Sequence, residues 1–151
     1  MPGADSIMGK NGSVVSCAVA GADAASLPVL LVEDEIFIRI ANAEWLRDAG
    51  YAVIEAANAQ EALDVLASGG RVALVATDIT MPGQVDGLGL AASVRSTHPG
   101  LPVVLLSAHV PDDIAPYADA ALRKPYSPYE LTAVVASLIG EAGAKVAEQA
   151  G

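Results

Sequence analysis

One cysteine, Cys17, is all the thiol this chain has. Without a second it closes no internal disulfide, so nothing points to an oxidising compartment, and a cytoplasmic location is expected. Cationic residues are scarce too: eight Lys and Arg stand against eighteen Asp and Glu, a formal net charge of -10. That is the wrong sign for following a phosphate backbone and argues against direct nucleic-acid binding. No run approaches the roughly 18 to 20 uninterrupted apolar residues of a membrane-spanning helix, although 53% of the chain is apolar. A soluble protein without membrane contact is expected. No export signal is expected either: "MPGADSIMGKNGSVVSCAVAGADAAS" has small residues around Cys17 but neither a charged start nor a sustained apolar segment.

The 151 residues suffice for one compact domain and are too few for two ordinary ones. Residues 1–27, rich in Gly, Ala and Ser without a helical stripe, read as a flexible extension, and residues 141–151 as a C-terminal tail with a fraying helical end. That leaves 28–140 for the fold. Five apolar runs recur there: "PVLLVED" from Pro28, "YAVIEA" from Tyr51, "VALVATD" from Val72, "LPVVLLSA" from Leu101 and "ADAALRKP" from Ala118. They are continuous rather than alternating, as expected of strands covered on both faces of a parallel sheet.

Helical segments lie between them. Ile36 to Ala49 is predicted to place Phe37, Ile40, Ala41 and Trp45 near one apolar face; Gln60 to Ala67 and Leu88 to Val94 follow, with Gly50 and Gly69 as stops for the first two. Ser127 before Pro128, with Glu130 to complete a capping box, opens a last helix that ends near Gly140. Right-handed crossovers fold repeated strand–helix units into a five-stranded parallel sheet, an α/β doubly wound architecture of the flavodoxin-like (βα)5 kind. One unit is irregular. "AHVPDDIAPYADAALR" carries Pro111 and Pro116, so its helix, the fourth, is expected to be short or irregular.

In such sheets function gathers beyond the carboxyl ends of the strands. The first strand delivers Glu33, Asp34 and Glu35 to that edge, the third Asp78, the fourth Ser107 and the fifth Lys124. Clustered carboxylates repel one another unless a cation shares the site. Oxygen ligands with no Cys or His beside them select Mg²⁺ or Mn²⁺. A metal, a nucleophilic carboxylate, a hydroxyl and a lysine together make a site for a phosphoryl group: Asp78 attacks, metal and Lys124 neutralise oxygens, and Ser107 donates a hydrogen bond.

The same residues resemble the receiver domain of two-component response regulators, CheY-like, in a stand-alone single-domain form. The resemblance rests on "LLVEDE" with Glu33 and Asp34, "TDITMPG" with Asp78 and a following "DG", "LLSAH" with Ser107, and "RKPY" with Lys124. It implies a phosphorelay protein, not an enzyme: Asp78 accepts a phosphoryl group from a sensor histidine kinase or histidine phosphotransfer protein. Mg²⁺ is held by Asp34, Asp78 and the backbone carbonyl of Thr80, with Glu33 acting mainly through water. It also implies Ser107 as the switch hydroxyl, a cis bond between Lys124 and Pro125, signalling to a downstream protein target, and a monomer or weak dimer. Thr80 and His109 take the positions that gate water access to the phosphorylated site.

Departures from that pattern are visible. "MPGQVDG" carries one residue more than the commonest spacing, and the aromatic expected three residues before the lysine is Ala121. Activation is therefore expected to order the 108–118 loop, with Tyr126 or Tyr117 as the substitute moving ring. Glu35 reads as an acidic residue at a helix N-terminus, His98 as an exposed bystander and Trp45 as core. Two other readings compete. A pseudo-receiver would bind partners without phosphorylation. A haloacid-dehalogenase-like phosphatase would need an aspartate where Thr80 stands. A flavodoxin that binds flavin is disfavoured by the acidic first loop.

Overall fold

Three of the five continuous apolar runs become strands buried on both faces, whereas the two at the sheet's edges, Val53–Ala56 and Ala120–Arg123, stay partly exposed because each has a neighbour on one side only. In this computed structural model, residues 27–150 are described, except Pro82 and Gln84 and the side chains of 141–150. Of the extension expected over residues 1–27, residues 1–26 with Cys17 lie outside the described residues, as do part of the loop with the extra residue and Gly151, whereas Leu27 is half-buried against the core rather than part of a free extension. Strands β1 (Val29–Val32), β2 (Val53–Ala56), β3 (Leu74–Asp78), β4 (Val103–Ser107) and β5 (Ala120–Arg123) form one parallel sheet in the order β2-β1-β3-β4-β5. Helices α1 (Ile36–Asp48), α2 (Ala59–Ala67), α3 (Gly87–Thr97) and α4 (Pro128–Ala150) complete the described elements.

Every residue of β1, β3 and β4 is buried, and alternation along each strand divides them between two cores. Leu30, Val75 and Leu105 pack with Ala62 and Leu66 of α2 and Leu90 and Val94 of α3. Leu31, Ala76 and Leu106 pack on the other face with Leu46 of α1 and Leu131 and Val135 of α4. Burial of each such aliphatic side chain is worth about 1.5–3 kcal/mol. Two covered faces are why these strands show no polar alternation.

The apolar face expected of α1 is rotated in the structure. Asn42, Ala43 and Leu46 turn inward, Ala41 and Trp45 are half-buried, and Phe37 and Ile40 are 84% and 42% exposed. The first turns of α1 thus put their bulkiest side chains in solvent, while an amide takes a core position. Residue size along the helix misplaces the buried stripe because its inner positions are small or polar.

The helix expected in the fourth unit shrinks to one turn: the amides of Tyr117 and Ala118 both donate to the Ile114 carbonyl at 2.8 Å. Pro111 precedes that turn and Pro116 lies within it, and together they leave no room for a longer helix. Ile114, Tyr117 and Ala118 nonetheless cover the core that a full helix would close. Arg95 of α3 pins the segment through Asp119, at 3.1 Å, and Asp119 also accepts from the Val103 amide at 2.9 Å.

The capping box that opens α4 forms in both directions. Glu130 N–H donates to Ser127 Oγ at 3.1 Å, and Ser127 N–H donates to the Glu130 carboxylate at 2.9 Å. The helix does not stop at Gly140 but runs to Ala150. A single glycine costs a helix only about 1 kcal/mol relative to alanine, and the Ala, Glu, Lys and Gln that follow are strong helix formers.

Two glycines with opposite surroundings test this packing. A Cβ on Gly87 would sit 1.9 Å from the Asp78 carbonyl oxygen and 2.6 Å from Ile79 Cα, both backbone atoms, so Gly87→Ala should destabilise by about 1–3 kcal/mol or more. Gly140, in α4, has nothing within 4 Å of the same position, so Gly140→Ala should stabilise by about 0.5–1 kcal/mol. Urea unfolding of the two variants reads both signs; a neutral Gly87→Ala would contradict the close approach of α3 to the end of β3.

Candidate functional site

Strand register assembles the site. Val32 pairs with Thr77, so one step further along both strands brings Glu33 beside Asp78. Asp78 pairs with Leu106 and Ser107 with Arg123, which puts Ser107 and Lys124 at the same carboxyl edge. All four leave the sheet where parallel strands end, so groups far apart in sequence meet without any local signal.

Lys124 lies at their centre. Its Nζ donates to Glu33 Oε1 at 2.9 Å and to Asp78 Oδ2 at 3.3 Å. The other Glu33 oxygen accepts from the Glu35 amide, and Asp78 Oδ1 from the Thr80 amide, each at 3.3 Å. Glu33 is fully buried and Asp78 is 7% exposed, whereas Asp34 is exposed. Oxygens of Glu33, Asp34 and Asp78 lie within 4.8 Å of one another. Three carboxylates this close, with no thiolate or imidazole in the cluster, fit a hard divalent cation such as Mg²⁺ or Mn²⁺.

The electrostatics follow from burial. Desolvation pushes the Glu33 carboxyl up to about 7, with the Lys124 hydrogen bond pulling it back and the Asp78 charge adding to the rise. Burial lowers the Lys124 ammonium, but its contacts with Glu33 and Asp78 outweigh that, and its pKa ends above the ordinary lysine value. The site thus holds a firmly protonated lysine against one carboxyl that ionises reluctantly.

The remaining predicted residues surround this centre. Ser107 is buried, and its Oγ accepts from the His109 amide at 3.1 Å, which leaves the hydroxyl proton free to be donated elsewhere. Thr80 and His109 are exposed at the rim. Glu35 is the N-cap position of α1 and makes no side-chain capping bond there. The Lys124–Pro125 peptide is cis. Ala121 belongs to the α2–α3 face together with Tyr117, whereas Tyr126 packs on the opposite face. Trp45 is half-buried rather than core, and His98 is exposed.

Sequence reasoning passed over two polar residues that the structure ties to the site. Asn42 Nδ2 donates to the Tyr126 hydroxyl at 2.8 Å, linking α1 to the segment just after Lys124; burial pushes that phenol up. Arg39 Nη1 donates to the Glu33 backbone carbonyl at 2.9 Å. Neither carried a signal in the sequence, because the inward face of α1 shows only once the helix is packed.

Comparison with known proteins bears on this arrangement directly. The response regulator receiver domain profile matches residues 29–136. The chain is 41% identical over 124 residues to the response regulator Rre1 of Synechocystis, covering 77% of this chain and 53% of that protein. It is 38% identical over 120 residues to the sensor kinase CckA of Brucella abortus, covering 76% of this chain but 13% of that protein. This chain therefore spans about half or less of the length of these relatives.

Among solved structures, the receiver domain of NtrX from Brucella abortus superposes with a TM-score of 0.68 at 31% identity, over 74% of this chain and 98% of that one. The response regulator TrrA of Thermotoga maritima, solved with Mg²⁺-BeF, gives 0.69 at 34% identity over 74% and 98%. A CheY-like receiver from Methanospirillum hungatei gives 0.73 over 79% and 98%, at 23% identity, a likeness of fold alone. Among the described residues no helix is long and apolar enough to cross a membrane. A family profile that spans residues 29–136, and so all five strands of the sheet, places this chain in the response regulator receiver domain family of two-component signalling proteins.

Proposed function

We propose that this receiver takes a phosphoryl group onto Asp78 and signals through a partner that reads the modified state. One observation carries the reading: Lys124 reaches Asp78 and Glu33 together, at 3.3 and 2.9 Å, in a site where three carboxylates converge. A surface ion pair has no need of that convergence. In the proposed transfer an Asp78 carboxylate oxygen forms the new bond to phosphorus as the bond from phosphorus to a donor histidine nitrogen breaks, and the imidazole leaves with the bonding electrons. Lys124 then pairs with a phosphoryl oxygen, and the Ser107 hydroxyl turns its free proton to another.

Glu33, Asp34, Asp78 and the Thr80 carbonyl would hold a divalent cation. When bound, that cation supplies positive charge against the transferring oxygens. A relative of this chain has been solved with Mg²⁺-BeF, which supports the choice of Mg²⁺. The phosphatase alternative finds no support in the site, because exposed Thr80 offers no carboxyl to serve as its acid.

Receiver domains interact with histidine kinases and downstream effectors. Here Ile36, Phe37 and Ile40, at 52%, 84% and 42% exposure, form an apolar surface on the first turns of α1, directly after the acidic residues of the site. Exposed apolar groups clustered beside a reactive group mark a docking surface. A donor protein carrying a phosphohistidine is the partner proposed for it.

Asp78→Asn should abolish labelling by acetyl phosphate while leaving the melting temperature close to that of the unaltered protein; labelling that persists in the variant would remove Asp78 from the acceptor role. Phe37→Ala should slow transfer from a phosphorylated histidine donor about tenfold or more, on the scale of a 1.4 kcal/mol contact, with the acetyl phosphate rate unchanged. Equal loss from both donors would show an effect on the chemistry rather than on docking.

Glu33 gives a pH test. Its folded-state pKa of about 7 lies above the ordinary 4.5, so the stability it contributes is complete below about pH 4.5 and fades as pH rises through about 7. Glu33→Gln fixes a neutral side chain. In EDTA, the variant should therefore gain stability relative to the unaltered protein between pH 5 and pH 8, read by thermal melts. A pH-independent difference would mean that Glu33 ionises as an ordinary carboxyl.

A further inference from the structure

Arg39 makes two contacts that nothing in the phosphoryl chemistry requires. Its Nη1 donates to the Glu33 carbonyl at 2.9 Å, and its Nε lies 3.4 Å from Glu55 Oε1 on β2. The second Glu55 oxygen is 3.2 Å from Arg47 Nη2, and Arg47 also donates to the Val53 carbonyl at 3.2 Å. Two arginines, two turns apart on α1, therefore grip one glutamate from both sides. Arg39 alone extends the grip to the site. Its side chain is 16% exposed, sheltered enough for a charge-assisted bond to a backbone carbonyl to matter.

The Glu33 carbonyl is a significant place to be held. At Glu33 the strand ladder ends: its amide still donates to the Ala56 carbonyl at 3.1 Å, and its carbonyl belongs to the peptide plane that leads into Asp34. The orientation of that one plane sets where Asp34 projects relative to Glu33. Asp34 is exposed and no side-chain partner among the described residues holds it in place, so the peptide plane is the available means of aiming its carboxylate at Glu33 and Asp78.

We infer that Arg39, braced by Glu55, is a positioning residue for the cation site: it fixes the Glu33–Asp34 peptide so that both carboxylates face Asp78. This rests on the reading of Glu33, Asp34 and Asp78 as cation ligands. Arg39 touches neither the cation nor the phosphoryl group. A lysine at its position could reach the carbonyl or Glu55 but lacks the planar fork that reaches both.

The test is Mn²⁺ binding to the full chain, followed by water proton relaxation, in the unaltered protein, Asp34→Asn, Arg39→Met, Arg39→Lys and Arg47→Met. Arg39→Met should weaken Mn²⁺ binding about tenfold, the scale of a lost partner that orients a ligand, and Arg39→Lys should fall between. Arg47→Met removes the same charge and the same kind of Glu55 contact but not the carbonyl bond, and should stay within about twofold by that reasoning. Equal weakening in Arg39→Met and Arg47→Met would reduce Arg39 to a structural ion pair, and unchanged affinity in Arg39→Met would overturn the inference outright. If the unaltered protein binds no Mn²⁺, or Asp34→Asn binds as well as it does, the cation reading fails and the inference falls with it. Arg39→Lys keeps the charge and guards against a variant that fails to fold.

Discussion

One ammonium group holds together the ends of three strands. Lys124 follows β5, Glu33 follows β1 and Asp78 ends β3, and the lysine bonds both carboxylates. Removing the cation would leave two carboxylates facing each other in a largely buried site, an arrangement costing several kcal/mol. At this edge a single ammonium stands against three carboxylates, Glu33, Asp34 and Asp78, so negative charge is in excess there. An added divalent cation or phosphoryl group must renegotiate that balance, which makes the edge responsive.

The sheet tolerates this tension because its middle is apolar on both sides. Leu30, Leu31, Leu105 and Leu106 are all fully buried and belong alternately to two separate cores. Charged groups are confined to the strand ends, where the protein can rearrange them without opening either core. On the β5 side the cover is thinner. One turn around Ile114, tied down by Arg95 and Asp119, does the work that elsewhere falls to a helix, so this flank has the least to lose on moving.

What could be read in the sequence follows from the same division. Strands covered on both faces write themselves as apolar runs, so strand identity and parallel order were legible, and strand order then placed Glu33, Asp78, Ser107 and Lys124 together. Pro111 and Pro116 announced the short, irregular fourth helix, which the structure reduces to one turn. The inner face of α1 was not legible, because Asn42 is buried by its bond to Tyr126, a residue far away in the chain, while Phe37 spends its apolar surface in solvent. Nor was the end of α4: Gly140 looks like a stop, yet nothing there requires the positive φ seen at Gly50 and Gly69. Arg39 was missed because its meaning lies in a backbone carbonyl, which no side-chain pattern encodes.

The bond between Asn42 and Tyr126 has an optical consequence. Both residues line a groove of about 450 Å³ between α1 and the segment after β5, and Trp45 and Lys124 line it too. Trp45 is the one tryptophan in the chain. Its indole therefore lines the same open groove as the cation on which the carboxyl edge depends, half sheltered from water. A displacement of Lys124 would alter the electrostatic surroundings of the one indole. Trp45 would then serve as a built-in optical reporter of the charges at the site, without a label.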